Sequence, residues 1–291
     1  MNVEVVVVGD VMVDVVTVPE GPIAPRSDTP SRIRSQGGGS AANTACWLAW
    51  LGVPVGLVAA VGDDALGRAA LAELEAAGVR FLGTVVGGRP TGTCVVLVDE
   101  AGERTMLPDR GANDALAVGA VGELAGARWL HLSGYALLGS GSRAAGRAAA
   151  EAATAANVPW SLDASSAAPL RSMGADSFLA LATGCSVLFA NDDEVAALGG
   201  FDAVLARGHE LVAKHGVDGS SWTDGRATAS ACADRATLID SVGAGDAFDA
   251  GFLHARLGGA DPGQALRAGA AVAATCLSVA GGRPPSGRSG G

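Results

Sequence analysis

The sequence has little of several residue types, and each shortage excludes a class of protein. Its 291 residues include one lysine, Lys214, one tyrosine and only 17% charged residues. The formal net charge is −10, and no basic run offsets it, which argues against a nucleic-acid partner. The 5 cysteines are scattered without a Cys-x-x-Cys pair, so the sequence predicts neither a disulfide framework nor a zinc site.

Long apolar runs are also missing. The first apolar stretch ends at Val8, where Gly9 and Asp10 follow, and no basic residue precedes it. It is too short for a signal peptide or a membrane span. We therefore expect a cytoplasmic protein without a membrane partner, whose cysteines are small buried residues of a reducing compartment.

What the chain does have is apolar residues and a regular alternation of patterns. A length of 291 residues with 49% hydrophobic composition is enough for a sizeable core. β-Branched runs alternate with Ala-rich helical stretches, which favours an α/β fold: a three-layer α/β/α domain around a mainly parallel sheet.

Several consecutive short strands early in the chain predict a second, smaller β-sheet. Short β-branched runs occur at 81–86, 94–98 and 104–107, with others near Val11 and Ile33. We expect these runs to form a lid over the α/β/α core. The predicted boundaries are 1–10, 38–80 and 108–291 for the core, and 11–37 and 81–107 for the lid.

The stretch around Gly243 has the residues of an anion site. Glycines on both sides of Ala244 leave almost no side chain between an extended run and a helix, so the N–H groups of residues 243–246 can converge. The helix that begins near Asp246 adds the positive end of its dipole. An aspartate that only caps the helix would stand in the same place, but beside an anion site Asp246 could also deprotonate a hydroxyl that attacks a phosphoryl group.

The run Asp240-Ser241-Val242-Gly243-Ala244-Gly245-Asp246-Ala247-Phe248 resembles the Asp-Thr-x-Gly-Ala-Gly-Asp-x-Phe signature of the ribokinase-like, or PfkB-type, sugar and nucleoside kinases. Ser241 keeps the hydroxyl of the commoner threonine. The resemblance extends over nearly the whole chain and implies a ribokinase-like fold with ATP and Mg²⁺ as cofactors. It also implies that Asp246 is the general base and that the amides of Gly243, Ala244 and Gly245 stabilise the charge on the transferred phosphate.

A second stretch, Gly38 to Ala45, resembles the family's Gly-Gly-x-x-x-Asn-x-Ala element. By composition alone its glycines could be a flexible linker or could let a ligand approach the backbone closely. The resemblance implies that the hydroxyls of the acceptor substrate are bound by Asp14, Gly39, Ser40 and Asn43.

Two further stretches resemble the nucleotide side of the family. Asn191-Asp192-Asp193-Glu194 is similar to an Asn-x-x-Glu motif, in which Asn191 and Glu194 organise Mg²⁺ through water; an acidic helix cap is the alternative. The Leu211 to Gly219 run resembles the family's strand and Gly-x-x-Gly turn near the nucleotide. His215 follows Lys214 where a P-loop needs Ser or Thr, so a P-loop is excluded. The ATP-binding residues implied are Asn191, Lys214, Gly216, Asp218 and Gly219.

The resemblance carries two more expectations. Asp240 and Val242, with a loop near Gly281, can bind a monovalent cation such as K⁺ in this family, and the lid often forms a homodimer surface. Arg104 and Arg110 stand in or after the lid and could contact an acidic or phosphorylated acceptor, or remain solvated lid charges.

Several functions stay open at this point. The acceptor could be a ribose-, fructose- or keto-deoxy-sugar-like molecule, or a nucleoside of the adenosine or pseudouridine kind. The base of a nucleoside could stack on Tyr135 and Trp160. A non-catalytic ligand sensor would keep the same site. An NAD-dependent oxidoreductase could instead use Gly139 and Gly141 of a Gly-x-Gly-x-x-Ala pattern, with Asp163 about 20 residues on.

Overall fold

The computed structural model describes residues 3–100, 104–120, 124 and 126–285. Within these residues the strands are β1 Val5–Val8, β2 Met12–Pro19, β3 Ser31–Gly38, β4 Val55–Val58, β5 Ala60–Gly62, β6 Arg80–Phe81, β7 Thr84–Val86, β8 Thr93–Val98, β9 Arg104–Asp109, β10 Trp129–Ser133, β11 Trp160–Asp163, β12 Val187–Asn191, β13 Glu210–Lys214, β14 Ser220–Thr223 and β15 Thr228–Ala231. The α-helices are α1 Ser40–Trp50, α2 Ala65–Ala76, α3 Tyr135–Leu138, α4 Arg143–Ala155, α5 Ala167–Met173, α6 Ala175–Leu181, α7 Asp192–Ala197, α8 Phe201–Leu205, α9 Ala244–Leu257 and α10 Pro262–Leu277. Short 3₁₀ turns cover Gly111–Ala115, Val118–Ala120 and Gly216–Asp218.

The central sheet is mainly parallel, as the sequence predicts. Its nine strands lie in the order β15-β14-β13-β12-β11-β10-β1-β4-β6. Every pair from β13 to β6 is parallel, and β14 and β15 continue the sheet as antiparallel strands. A parallel sheet of this kind must be covered on both faces.

Alternate residues of β1 show the two covered faces. Val5 and Val7 belong to one apolar cluster, which contains residues of α1, α2, α9 and α10. Val6 and Val8 belong to another, built with α3 to α8. Side chains alternate across a strand, so the sheet lies between two helical layers and the expected α/β/α architecture is confirmed.

The small sheet has four strands in the order β3-β2-β8-β9. One face buries Met12, Val16, Cys94 and Val96. The expected lid strand at 81–86 is not part of it: β6 pairs with β4 and β7 pairs with β5. Gly83 joins β6 to β7 so close to the backbone of Ala59 that a Cβ would clash there, which keeps this segment against the core.

Four of the five cysteines are buried, as expected, but Cys232 is exposed beyond the end of β15. All five are free thiols in the described part of the chain. No helix within the described ranges is both long enough and apolar enough to cross a lipid bilayer.

The carboxyl ends of the parallel strands meet at one edge of the sheet and bring polar residues together there. The strands β10, β11, β12 and β13 end at Ser133, Asp163, Asn191 and Lys214 respectively, and Asp10 follows β1. Ligands of open α/β sheets bind at this edge. The helix α9 begins beside it, which makes the edge the candidate site.

Candidate active site

The loop before α9 needs glycine for two separate reasons. Gly243 is the N-cap residue and has φ +75°, a left-handed conformation that few other residues adopt. A Cβ on Gly243 would also clash with the backbone of Gly282. The first-turn amides of α9 lack acceptors within the helix, and the N–H of Ala244 makes only a long contact of 3.4 Å to the Ser241 carbonyl. These amides therefore remain available to an acceptor on a ligand, and the anion site stays a prediction.

Asp246 lies in the first turn of α9 and contacts the other predicted motif. Asn43 donates from Nδ2 to Asp246 Oδ2 over 2.9 Å. Burial, together with the charge of Asp163, raises the pKa of Asp246 to about 7 against the opposing effects of Asn43, Ser40 and Lys214. A carboxyl group that titrates near neutral pH can accept a proton from a substrate hydroxyl.

Of the other residues predicted to bind the acceptor, Gly39 and Ser40 lie at the start of α1, and Asp14 lies on β2 against Gly38. Gly39 caps α1 with φ +92°, and a Cβ there would lie 2.7 Å from the Asp10 carbonyl oxygen. Asn43 Oδ1 is buried and has no hydrogen-bond partner among the described residues, so it is free to accept from a ligand hydroxyl. Asp14 is also buried, and burial, together with the charges of Asp10 and Asp240, raises its pKa to about 6 against the effect of Arg283.

Lys214 lies beside the first turn of α9, and its ammonium group contacts two carboxyl groups. Its Nζ is 2.7 Å from Asp163 Oδ2 and 3.1 Å from Asp249 Oδ1. An added Cβ on Gly245 would lie 3.4 Å from this ammonium. Lys214 therefore places a positive charge close to the backbone of the predicted anion site.

The pKa values of the two carboxyl groups beside Lys214 shift in opposite directions. Burial and the neighbouring Asp163 raise the pKa of Asp249 well above its ordinary value, although Lys214 opposes this. Burial also acts to raise the pKa of Asp163, but Lys214 and hydrogen bonds from Asp249 outweigh it and leave that pKa lowered. These opposite shifts favour Asp249 over Asp163 as the carboxyl group that takes up a proton.

Sequence reasoning missed Asp163 and Asp249 in this role. Asp163 entered it only as part of a dinucleotide pattern, and Asp249 was given no role. One signal was available: Asp163 ends a strand, Trp160–Asp163, that is buried throughout, and such positions in parallel sheets face the ligand edge.

On the nucleotide side, Asn191 and Glu194 form a capping box at the start of α7. Glu194 accepts from the Asn191 N–H over 2.9 Å and from its Nδ2 over 2.8 Å, while Asn191 Oδ1 accepts from the Glu194 N–H. Burial and the charge of Asp163 raise the pKa of Glu194 to about 7. The structure thus contains the helix cap that was the alternative interpretation, and it also leaves a buried carboxylate at the ligand edge.

The predicted Gly-x-x-Gly turn follows β13 as a 3₁₀ turn. Gly216 and Gly219 have φ +58° and +100°, and Asp218 is exposed. His215 joins the turn to α7 through a 2.6 Å contact from Nδ1 to Asp192 Oδ1. The 191–194 capping box and the 216–219 turn, which are both predicted to bind the nucleotide, therefore lie next to each other, and the turn is exposed.

The predicted cation ligands already have protein partners. Asp240 is 3% exposed and contacts both Arg34 and Arg104, while the Val242 carbonyl accepts from the Cys276 thiol over 3.4 Å. Arg110, the other arginine considered for the substrate, contacts Asp114 at 2.7 Å.

The aromatic and glycine patterns behind the alternative functions have different surroundings. Trp160 is 1% exposed and packs in the core, so it cannot stack on a ligand. Tyr135 is half-buried, and burial and the charges of Asp10, Asp163 and Asp246 raise its pKa, which indicates that it lies near the site. Helix α3 separates β10 from Gly139, whereas a dinucleotide fingerprint needs the strand to lead directly into the glycine turn.

Comparison with known proteins gives consistent results. Residues 2–287 match the model of the pfkB family carbohydrate kinases. The chain is 34% identical over 255 residues to an ATP-dependent ribose-1-phosphate kinase of Halopiger xanaduensis, which covers 83% of this chain and 81% of the relative. It is 31% identical over 301 residues to a fructokinase of Klebsiella pneumoniae, across 96% of this chain and 94% of the relative.

Among solved structures, the adenosine kinase from Sinorhizobium meliloti superposes with a TM-score of 0.89 and 26% identity, over 99% of this chain and 97% of that one. A family match over nearly the full length agrees with the fold and with both motifs at the sheet edge. The chain therefore belongs to the pfkB family of carbohydrate kinases, and it is a phosphotransferase with an alcohol group as acceptor.

Proposed function

We propose that this protein transfers the γ-phosphoryl group of ATP to a hydroxyl of a ribose-type sugar, with Asp246 as the general base. The observation that carries the proposal is the hydrogen bond of 2.9 Å between Asn43 and Asp246. It joins the motif that would bind the acceptor to the carboxylate that would deprotonate it, beside the N-terminus of α9.

The residues have complementary roles in this proposal. Asp14, Gly39, Ser40 and Asn43 orient the acceptor so that one hydroxyl points at Asp246. As the oxygen of that hydroxyl attacks phosphorus, its proton passes to Asp246, and the amides of residues 243–245 stabilise the charge on the transferred phosphoryl group. Lys214 adds positive potential behind these amides, which an acidic chain has to provide locally.

The nucleotide would lie over the 216–219 turn, with Mg²⁺ near Asn191 and Glu194. The chemistry of the donors suits this ion, because Mg²⁺ prefers oxygen ligands, keeps several waters and needs only one or two carboxylates. Each Glu194 oxygen accepts one hydrogen bond from Asn191 and keeps a second lone pair for such a water. A bound Mg²⁺ would neutralise charge on the ATP phosphates.

A ribose-type acceptor is favoured by what two relatives have in common. One is named a ribose-1-phosphate kinase and the other an adenosine kinase, and both named substrates contain a ribose ring substituted at C1. A nucleoside is the second candidate, because Tyr135 lies near Asp246 and could stack on a base. Fructose and 5-dehydro-2-deoxygluconate, named for other relatives, complete the set of acceptors to test.

The test is a coupled ADP-release assay with Mg-ATP and this set of acceptors: ribose, ribose 1-phosphate, adenosine, pseudouridine, fructose and the keto-deoxy acid. We expect ADP release only with an acceptor, and the highest kcat/KM with a ribose derivative. Mass spectrometry of the product separates phosphoryl transfer from hydrolysis of ATP. Equal ADP release with and without acceptors would contradict the proposal.

We also propose that the protein is a cytoplasmic homodimer that associates through its lid. The support is apolar exposure on the two edge strands of the lid sheet, where Ile33, Met106 and Leu107 are between 51% and 65% exposed. Covering these side chains in a dimer would remove apolar area from water. Light scattering during gel filtration, with Ile33→Asp as a disruptive variant, measures the association.

A further inference from the structure

The carboxylate of Asp240 lies where the lid meets residues 240–243, the loop before α9, which is called the signature loop below. Four donors surround this carboxylate. Oδ1 accepts from Arg104 Nη2 at 2.7 Å and from the Val242 N–H at 2.9 Å. Oδ2 accepts from Arg34 Nη2 at 3.2 Å and from the Gly281 N–H at 3.1 Å. Both oxygens are therefore occupied by protein groups.

These contacts do not suit a monovalent cation, which the family resemblance led us to expect here. A hard cation needs oxygen atoms with free lone pairs, but the Asp240 oxygens each have two donors and the Val242 carbonyl accepts from the Cys276 thiol. The two guanidinium groups also offset the negative charge of the Asp240 carboxylate, which weakens the attraction for a cation.

The two arginines come from opposite edges of the lid. Arg34 is on β3 and Arg104 is on β9, the outer strands of the order β3-β2-β8-β9. Both reach the same carboxylate, and Arg104 Nη1 also donates to Ser241 Oγ, the residue after Asp240. The lid is thus tied at both edges to the loop that leads into the anion site.

We infer that Arg34 and Arg104 take the place of a monovalent cation at Asp240, so that the lid itself orders the signature loop and the protein needs no K⁺. Asp240 connects the two arginines to the signature loop through the Val242 N–H, and to a second loop through the Gly281 N–H. Gly282, the next residue of that second loop, packs against Gly243. The arginines act as positioning residues, and their effect on catalysis rests on the proposed kinase function.

Burial decides which arginine matters more. Arg104 is 22% exposed, whereas Arg34 is 51% exposed and more screened by water. We therefore expect Arg104→Met to loosen the lid more than Arg34→Met does. Arg32 lies on the same strand as Arg34 and is exposed, so Arg32→Met is the matched control for the loss of one lid charge.

The first experiment needs no catalysis: hydrogen exchange of the lid strands β3 and β9 in the full-length protein. We expect Arg104→Met to reduce protection of these amides by about tenfold or more, which corresponds to ~1.4 kcal/mol, while Arg32→Met leaves it unchanged. Arg104→Lys, which keeps the charge but loses the second contact to Ser241, should lie between. Equal protection in the wild type and Arg104→Met would overturn the tie.

The second experiment compares thermal melts and acceptor-dependent ADP release in chloride salts of K⁺, Na⁺ and tetramethylammonium at equal ionic strength. We expect the wild type to give the same melting temperature and the same rate in all three, because both Asp240 oxygens already accept from protein donors. A rise in melting temperature or rate that is specific to K⁺ would overturn the inference. If no acceptor is turned over, the proposed function fails, but the melts and the hydrogen exchange still decide on the arginines.

Discussion

Asn43 and Asp246 are 203 positions apart in the sequence, and a hydrogen bond of 2.9 Å joins Asn43 Nδ2 to Asp246 Oδ2. The contact holds the N-terminal parts of α1 and α9 together at the carboxyl edge of the sheet. It also moderates the chemistry of Asp246, because burial raises the pKa of this group and the hydrogen bond from Asn43 opposes the rise. One side chain therefore links the predicted acceptor site to the predicted base and lowers the pKa of that base.

The raised pKa of Asp246 predicts the pH dependence of the reaction. The base must be ionised, and its pKa is raised to about 7, so kcat/KM should increase with pH through about 7 and level off above it. Glu194 titrates in the same range, with a pKa of about 7. The profile of Glu194→Gln separates the two groups, because the acidic limb should persist in that variant if it belongs to Asp246.

Replacement of Asn43 tests the link directly. Asn43→Ala removes a donor that stabilises ionised Asp246, so the acidic limb of kcat/KM should move to higher pH. The KM for the acceptor should rise as well, since Asn43 Oδ1 is the buried atom available to a substrate hydroxyl. A pH profile that does not move would show that the hydrogen bond has no influence on the titrating group.

Lys214 should matter for stability as well as for activity. Lys214→Met leaves the buried carboxylate of Asp163 without its 2.7 Å partner, and removal of one member of a buried ion pair costs about 3–5 kcal/mol. Asp249→Asn is the matched control: the raised pKa of Asp249 favours its neutral form, and an amide keeps both a donor and an acceptor, so we expect a loss of less than about 1 kcal/mol. Urea unfolding at pH 7 measures both changes.

The double variant Lys214→Met/Asp163→Asn distinguishes charge from packing. If the cost of Lys214→Met comes from an uncompensated carboxylate, the neutral Asn at 163 should recover a large part of it. Additive losses in the double variant would instead attribute the cost to the lost contacts of the lysine chain.

Gly243 and Gly259 offer a matched pair at the two ends of α9. Both have positive φ, +75° and +84°, but a Cβ on Gly259 meets nothing within 4 Å, whereas a Cβ on Gly243 clashes with Gly282. Gly259→Ala should therefore cost only the backbone strain, about 1–2 kcal/mol. Gly243→Ala should cost at least ~1 kcal/mol more and should also lower kcat, because the anion loop must shift. Equal melting temperatures for the two variants would contradict the close approach to Gly282.

The motifs that a local pattern can reveal were predictable from the sequence. The Gly-rich runs before α1 and α9, the buried strand at Val5–Val8 and the mainly parallel sheet follow from spacing and residue type. What the sequence could not give were contacts that depend on the tertiary arrangement of several elements. The Asp163–Lys214–Asp249 cluster joins β11, β13 and α9, and the contact of Arg34 with Asp240 joins residues 206 positions apart.

The prediction that residues 81–86 belong to the lid was wrong for the same reason, because strand pairing depends on the tertiary arrangement. Its residues have the composition of a strand, and strand composition does not specify a partner. The backbone decides the pairing here: the Leu82 and Thr84 N–H groups donate to Leu57 and Ala59 at 2.8 and 2.9 Å, which extends the core region instead of the lid.

The role of Asp246 as the base is the central claim, and Asp246→Asn tests it most directly. The substitution keeps the size of the side chain and an acceptor for Asn43 but removes the proton acceptor. With the best acceptor from the panel and saturating Mg-ATP, we predict that kcat falls at least ~10²-fold while the affinity for ATP is largely kept. Near-normal turnover in Asp246→Asn would contradict the account.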